Sequence, residues 1–295
     1  MISNSLLCLM TIASIEKIFT EDLKDRYGQE EASSIAWLVI GFICRINRSQ
    51  YLYNKNKELS DAELSAFYEI LISLKKGAPV QYVLGETEFY GSVFKVNASV
   101  LIPRPETEEL VDWVLKDVKA LNYPGDRLEV LDIGTGSGCI PVTLKKYIPY
   151  AEVSAIDISA DALKTARENA ALNQTEITFI QDDILHPITQ GKSFTIITSN
   201  PPYVTSGEKK QMHSNVVDYE PHIALFVPDN DPLVFYSAIA DFARTNLEPA
   251  GALYLEINEN FGPETISLLK SKGFKRTELR KDLRDRDRMI RAQLN

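Results

Sequence analysis

Seven consecutive residues, Asp132-Ile133-Gly134-Thr135-Gly136-Ser137-Gly138, follow an apolar run and precede a helical pattern. Glycines at alternate positions permit the positive φ of a tight turn. They also let backbone N–H groups approach a bound group, helped by the helix N-terminus behind them. The pattern G-x-G-x-G alone does not separate a nucleotide cradle from a bare structural turn. Asp157, at the end of the next apolar run, lies about 20 residues beyond the glycines, where a carboxylate accepts both hydroxyls of a ribose. That much also suits a dinucleotide. The loop, however, lacks the G-x-G-x-x-G spacing for a pyrophosphate, and no second nucleotide-binding half follows. A cofactor with ribose and no phosphate, such as S-adenosylmethionine, fits better.

Asp182-Asp183-Ile184 follow a third apolar run. They are placed to reach an adenine by carboxylate and backbone bonds, the plainer alternative being two solvated acids in a turn. Cys139 falls in the first turn of the helix after the glycines, where a thiol pKa can drop. With no base near it in sequence, it reads as a small packing residue.

A second motif, Ser199-Asn200-Pro201-Pro202-Tyr203, follows the apolar run Phe194-Thr195-Ile196-Ile197-Thr198. Two prolines lock φ and remove two N–H donors, which leaves carbonyls free to accept. Such a cradle suits a planar amide-type nitrogen, a poor nucleophile whose lone pair must be aimed at a sulfonium methyl. Asn200 Oδ1 and the Pro201 carbonyl can accept its two N–H bonds and fix that direction. As positive charge builds on the nitrogen, the same dipoles and the face of Tyr203 can stabilise it. The alternative is a stiff turn and nothing more.

These residues need a scaffold. From Ser5 to about Lys76 apolar residues recur at three- and four-residue spacing: Ile15, Ile18, Phe19 and Leu23, then Ala36, Leu38, Val39, Phe42 and Ile43. Ser60-Asp61-Ala62-Glu63 is an N-cap signal for the last helix of a small bundle. Between Gly77 and Pro105 β-branched and aromatic residues punctuated by Gly85, Gly91, Pro103 and Pro105 predict a short hairpin, and Thr107-Glu108-Glu109 starts a helix through about Lys119. Strands are then expected at Leu128–Ile133, Val153–Asp157, Ile177–Ile180, Phe194–Ser199 and Ala252–Ile257, with helices near Ile140–Tyr147 and Ala160–Leu172. Alternation of this kind implies βαβ units and a parallel sheet covered on both faces, which binds ligands at the strands' carboxyl ends.

The bulk properties exclude several classes. Of 295 residues, 44% are hydrophobic and 25% charged, an ordinary globular composition. A formal charge of -9 opposes a large duplex-binding surface. Residues 270–295 reverse the sign, with ten Lys/Arg against four Asp/Glu, either to steer an acidic partner or as a solvated terminal hairpin. Cys8, Cys44 and Cys139 are odd in number and widely spaced, so reduced thiols in a cytoplasmic protein are expected. His186, His213 and His222 lack metal-pair spacing, and no metal is expected. The run Leu6-Leu7-Cys8-Leu9-Met10 has no basic residue before it and reads as a buried helix face. No stretch reaches the roughly 20 apolar residues of a membrane span.

The glycine loop, Asp157 and Asn200-Pro201-Pro202-Tyr203 together resemble class I methyltransferases acting on adenine, cytosine or glutamine nitrogens. Gly77-Ala78-Pro79-Val80-Gln81-Tyr82-Val83-Leu84-Gly85, Glu88-Phe89-Tyr90-Gly91 and Leu101-Ile102-Pro103-Arg104-Pro105-Glu106-Thr107-Glu108 narrow the match. They resemble the PrmC/HemK family, which methylates glutamine in the Gly-Gly-Gln motif of class I peptide chain release factors. The resemblance spans nearly the whole chain. It implies an α/β fold: a Rossmann-like class I methyltransferase domain with a seven-stranded, mostly parallel sheet whose last strand is antiparallel, preceded by a small helical bundle. The domains would be residues 1–84, docking the release factor, 85–105, a β-hairpin linker, and 106–295, the methyltransferase.

By that resemblance Gly134, Thr135, Gly136, Ser137 and Gly138 hold the methionine part of S-adenosyl-L-methionine, and Asp157 its ribose. Asp183, Ile184 and Asn200 complete the cofactor set, and Asn200, Pro201, Pro202 and Tyr203 hold the glutamine. The product is S-adenosyl-L-homocysteine. At Ile184 several relatives carry an aromatic residue, which removes a stacking face. Arg104 and Glu108 have no role assigned by spacing, salt-bridging within the linker being the plain expectation. The rivals are a ribosomal-protein glutamine methyltransferase, a DNA adenine methyltransferase, which the acidic balance opposes, and a non-catalytic cofactor-binding scaffold.

Overall fold

The structure, a computed structural model, describes residues 10–121, 127–188, 191–210 and 212–295. The apolar run at residues 6–9, Cys8 included, lies outside them. The chain divides into two compact units, Met1–Gly85 and Glu86–Asn295.

The first unit is helical: α1 (Ile12–Tyr27), α2 (Gln29–Cys44), α3 (Arg48–Asn54), α4 (Asp61–Lys75) and α5 (Val80–Leu84). Capping boxes at Thr11, Asn47 and Ser60 satisfy the first orphan N–H groups of α1, α3 and α4. The expected periodicity closes a core of Ile15, Phe19 and Leu23 against Ala36, Val39, Phe67 and Leu74. Leu38 departs from it. It points outward and is 52% exposed, because the inward stripe of α2 runs through Ala32, Ile35, Ala36, Val39 and Ile40.

The second unit opens with a hairpin, β1 (Glu86–Phe89) and β2 (Ser92–Lys95), and α6 (Pro105–Leu121). The alternating core follows as β3 (Leu128–Ile133), α7 (Cys139–Tyr147), β4 (Ala151–Asp157), α8 (Ala160–Leu172), β5 (Thr178–Gln181) and β6 (Phe194–Ser199). After the short helices α9 (Ser206–Lys209) and α10 (Ser214–Tyr219) come α11 (Val234–Asn246), β7 (Leu247–Glu256), α12 (Gly262–Ser271), β8 (Arg276–Lys281) and β9 (Asp287–Gln293). Among the described residues the strands pair as one seven-stranded sheet, β5-β4-β3-β6-β7-β9-β8. Only β9 runs antiparallel to its neighbours β7 and β8.

Every residue of β3 and β6 is buried, which is why both read as continuous runs rather than alternating ones. Layers on the two faces form separate apolar clusters, one around Trp113, Val130 and Leu144, the other around Leu131, Ile197 and Ile239. The hairpin packs into the first cluster through Phe89 and Phe94. It is tied to α6 by Glu108, which accepts from the Tyr90 N–H at 2.7 Å, and to α8 by Asn169, which accepts from the Lys95 N–H at 2.7 Å. From β3 the chain winds outward to β5, then crosses back to β6 on the other side of β3. That reversal opens a crevice at the carboxyl ends of β3 and β6.

The basic tail is less bare than its composition. Arg291 bridges Asp117 and Glu278, and Arg288 bridges Asp282 and Glu259. Ile290 and Ala292 on β9 are fully buried, so much of the local charge is neutralised within a strand pair that belongs to the sheet.

Candidate active site

The glycine loop leaves β3 and curls onto the tip of β4: the Gly134 and Thr135 N–H groups both donate to the Ile156 carbonyl, at 2.9 and 3.1 Å. Gly134, Gly136 and Gly138 all have positive φ, of 70°, 52° and 80°. A Cβ at Gly134 or Gly136 would meet nothing within 4 Å, whereas one at Gly138 would sit 3.0 Å from the Ala166 Cβ of α8. The first two glycines therefore border open space, and the third permits close helix packing. The Asp157 carboxylate accepts from Gly136 N–H at 2.8 Å through Oδ2 and from Ser159 N–H at 2.9 Å through Oδ1. A carboxylate has about four lone-pair sites, so capacity remains for a further donor. Burial raises the Asp157 pKa against the opposing backbone N–H groups of Ser159, Gly136 and Ile158.

Gly134, Thr135, Gly136, Ser137, Asp157, Asp183, Ile184, Asn200, Pro201 and Pro202 all line one cavity of about 320 Å³. Gly138 and Tyr203 are not on that wall. Tyr203 donates its phenol to Glu256 Oε1 at 3.1 Å, and burial first, then the Glu256 charge, pushes its pKa well up. The carboxylates of the third strand's loop are turned toward their own backbone. Asp182 Oδ1 accepts from Asp183 and Ile188 N–H groups at 2.9 and 3.1 Å, and Asp183 Oδ1 accepts from Leu185 N–H at 2.9 Å.

Several residues on or behind the wall have no local sequence signal. Phe235 and Ile239, from α11, line the cavity. Thr107, in the first turn of α6, accepts from Asn200 Nδ2 at 3.2 Å and donates to Glu256 Oε2 at 2.7 Å. Glu256, at the end of β7, has a pKa raised by burial and opposed by the Thr107 hydroxyl, the Arg288 charge and the Tyr203 hydroxyl. Arg104 does not bridge within the hairpin segment as expected. It reaches Glu220 at 2.5 Å, and Glu220 also accepts from the Ile102 N–H at 3.2 Å. The position of Thr107 inside the segment of family resemblance was the one available hint, and Glu256 had none.

Burial pushes the Cys139 thiol up to about 12 despite its place at a helix start, so it packs rather than attacks. Asp132, at the end of β3, is driven by burial to about 7, against the Thr135 and Thr198 hydroxyls. Thr198 donates to its Oδ1 at 2.8 Å. Asp132 Oδ2 and Thr135 Oγ1 are buried side-chain atoms with no hydrogen-bond partner among the described residues. Orphaned polar atoms beside a glycine cradle with room in front of it suit a ligand that carries its own donors, such as an amino acid ammonium. With Asp157 able to take ribose hydroxyls, the residues present fit S-adenosylmethionine.

The PrmC N-terminal domain family model matches residues 17–85, and the Methyltransferase small domain model matches residues 117–219. The release factor glutamine methyltransferase of Flavobacterium psychrophilum is 44% identical over 96% of this chain and 99% of its own. The chain belongs to the release factor glutamine methyltransferase family. Membership makes it an S-adenosylmethionine-dependent methyltransferase. The family's protein from Bacteroides thetaiotaomicron is 41% identical over 92% of this chain and 96% of its own. Among solved structures, the Thermus thermophilus 16S rRNA N2 G1207 methyltransferase, in complex with AdoMet and guanosine, aligns with TM-score 0.52 and 19% identity over 71% of this chain and 50% of that one. At that distance the likeness speaks for the shared methyltransferase fold alone.

Proposed function

We propose that this chain methylates the side-chain amide nitrogen of the glutamine in the Gly-Gly-Gln motif of class I peptide chain release factors, in the cytoplasm. The observation that carries the reading is the meeting of two walls in one cavity: the glycine loop with Asp157 on one side, Asn200-Pro201-Pro202 on the other. S-adenosylmethionine, when bound, supplies a methyl group on a positively charged sulfur. Gly134, Thr135, Gly136 and Ser137 line its methionine end, Asp157 takes the ribose hydroxyls, and Ile184 with the backbone at Asp183 borders the adenine.

Asn200 Oδ1 and the Pro201 carbonyl accept the two N–H bonds of the incoming carboxamide and turn its lone pair inward. The prolines, lacking N–H groups, offer no competing donor. Those oxygens then face the nitrogen as it gains positive charge, a preorganised stabilisation. As the N–C bond forms and the S–C bond breaks, leaving S-adenosylhomocysteine, the N–H proton becomes acidic and passes to solvent, so no strong base is needed. Tyr203 holds the loop in place through Glu256, and its backbone carbonyl accepts from Asn258 Nδ2 at 3.0 Å. The names of the relatives support the substrate, and the acidic balance of the chain opposes a nucleic-acid target. Among the described residues no helix is long and apolar enough to cross a membrane.

The decisive experiment incubates the purified chain with labelled cofactor and release factor, ribosomal protein or DNA in parallel. Mass spectrometry of the digested release factor is expected to show one added methyl on one glutamine. Label appearing only in DNA or only in ribosomal protein defeats this reading.

A further inference from the structure

The carboxamide of Asn200 has nearly the same shape with its oxygen and nitrogen exchanged, so packing alone does not choose between the two orientations. Counting hydrogens does. A threonine hydroxyl has one hydrogen to give, and Thr107 gives it to Glu256 Oε2 at 2.7 Å. Tyr203 gives its own to Glu256 Oε1 at 3.1 Å. Burial raises the Glu256 pKa, and the Thr107 hydroxyl, the Arg288 charge and the Tyr203 hydroxyl oppose that rise. What remains on Thr107 Oγ1 is lone pairs, which receive the Asn200 Nδ2 at 3.2 Å and would repel Oδ1. Thr107 and Glu256 are 2% and 1% exposed, so the bonds of the relay are almost wholly internal, although Thr107 borders the cavity beside Asn200.

We propose that Thr107 and Glu256 are positioning residues: a one-way relay from Asn200 through Thr107 to Glu256 fixes the amide with its nitrogen toward α6 and its oxygen turned to the cavity. The inference rests on the reading of Asn200 as an acceptor for the substrate's N–H. An inverted Asn200 presents donors to a substrate that itself needs acceptors, and the carboxamide is no longer aimed. Neither residue need touch substrate or cofactor to have this effect. The relay joins three elements, α6, the loop after β6 and the end of β7, so it also registers whether those elements are in place.

The test compares Thr107→Val, which keeps the shape and removes the hydroxyl, with Thr107→Ser, which keeps the hydroxyl. In Thr107→Val the single-turnover rate is expected to fall about tenfold or more, the size of effect a small misalignment of reacting groups produces. The KM for release factor and the affinity for S-adenosylhomocysteine are expected to change little. Thr107→Ser is expected to restore the rate to near wild type. A valine variant that turns over as fast as wild type, or a serine variant as slow as valine, overturns the relay.

A second readout does not depend on the substrate. The Asn200 Nδ2 protons, assigned in NMR spectra by their loss in Asn200→Ala, are expected to exchange slowly with solvent in wild type and Thr107→Ser and rapidly in Thr107→Val. Slow exchange in Thr107→Val overturns the relay whatever the substrate proves to be. A wild-type chain that leaves release factor unmethylated overturns the proposed function instead, and the exchange data still judge the relay. If Thr107→Val does not fold, Glu256→Gln alone does not replace it. The glutamine amide can turn its oxygen to Thr107 and keep the relay or turn its nitrogen there and reverse it. The deciding variant is then Thr107→Ala, which also lacks the hydroxyl: wild-type turnover and slow Nδ2 exchange in it overturn the relay.

Discussion

On one side of the cavity the wall is mostly backbone, drawn from residues adjacent in sequence: the Gly134 and Thr135 N–H groups donate to the Ile156 carbonyl and the Gly136 N–H to the Asp157 carboxylate at the tip of the next strand. On the other side the working group is a side chain, Asn200, bonded to Thr107, 93 residues before it; Thr107 is bonded in turn to Glu256, 149 residues beyond. The first half depends on which φ angles a few residues can adopt. The second depends on whether α6, β6 and β7 are all in register. A backbone cradle is thus open to damage only where it stands, and a side-chain relay can be broken from across the sheet.

The sharpest break in that comparison should come at Asn200. In Asn200→Ala the maximal rate is expected to fall on the order of a hundredfold or more, the magnitude that follows loss of one preorganised polar contact in a water-excluded site. Cofactor affinity should change little, because the glycine loop and Asp157 are untouched. Rapid-quench single-turnover assays with saturating cofactor, paired with calorimetric titration of S-adenosylhomocysteine, separate the two quantities. An unchanged single-turnover rate would remove Asn200 from the chemistry, and a loss confined to cofactor binding would move it to the other half of the site.

Within the backbone half, two glycines should separate stability from binding. Gly138 has φ of 80°, and a Cβ there would lie 3.0 Å from the Ala166 Cβ and 3.2 Å from its Cα. Gly138→Ala is therefore expected to cost about 1–2 kcal/mol for the left-handed backbone alone, with the clash added to it. Gly136 has φ of 52° and nothing within 4 Å of its would-be Cβ, so Gly136→Ala keeps the backbone strain without the clash and puts a methyl where the cofactor would lie. Thermal denaturation should show the larger drop in Tm for Gly138→Ala, and titration the larger loss of cofactor affinity per unit of lost stability for Gly136→Ala. The reverse ranking would mean that the loop, and not α8, limits the packing there.

The same contrast explains what the sequence made legible. Leu128–Ile133 and Phe194–Ser199 form at the expected residues because strands buried on both faces show as unbroken apolar runs. The strand expected at Ala252–Ile257 runs Leu247–Glu256: Leu247 pairs with Phe194 and the register resumes at Ala252 opposite Ile196, across an irregularity at Glu248-Pro249-Ala250-Gly251 that carries no strand pattern. The loop residues that share a wall were readable because each sits at the end of a run, where a parallel sheet collects ligands. Thr107 read as a helix start inside the segment of family resemblance, with no role of its own, and Glu256 only as part of a strand. Arg104 had no visible partner, since Glu220 lies 116 residues away. Such pairings exist in the topology and leave no spacing in the chain.

The smallest expected effect lies at Ile184, where the cavity wall offers an aliphatic face. Ile184 packs partly buried against the cluster that includes Ile239, and Phe235 lines the same cavity. An aromatic ring stacked on an adenine is worth about 0.5–1.5 kcal/mol beyond its area, and part of that gain is offset by the isoleucine packing that Ile184→Phe gives up. The substitution is thus expected to tighten S-adenosylhomocysteine binding by roughly two- to fivefold while the methyl-transfer rate stays unchanged, because Asn200 and its relay are not involved. Calorimetric titration at one temperature, with turnover at saturating cofactor as the control, resolves a change of that size. Equal affinity in the two proteins would place the adenine against Phe235 instead, so that an aromatic face from α11 already serves in place of the one missing after β5.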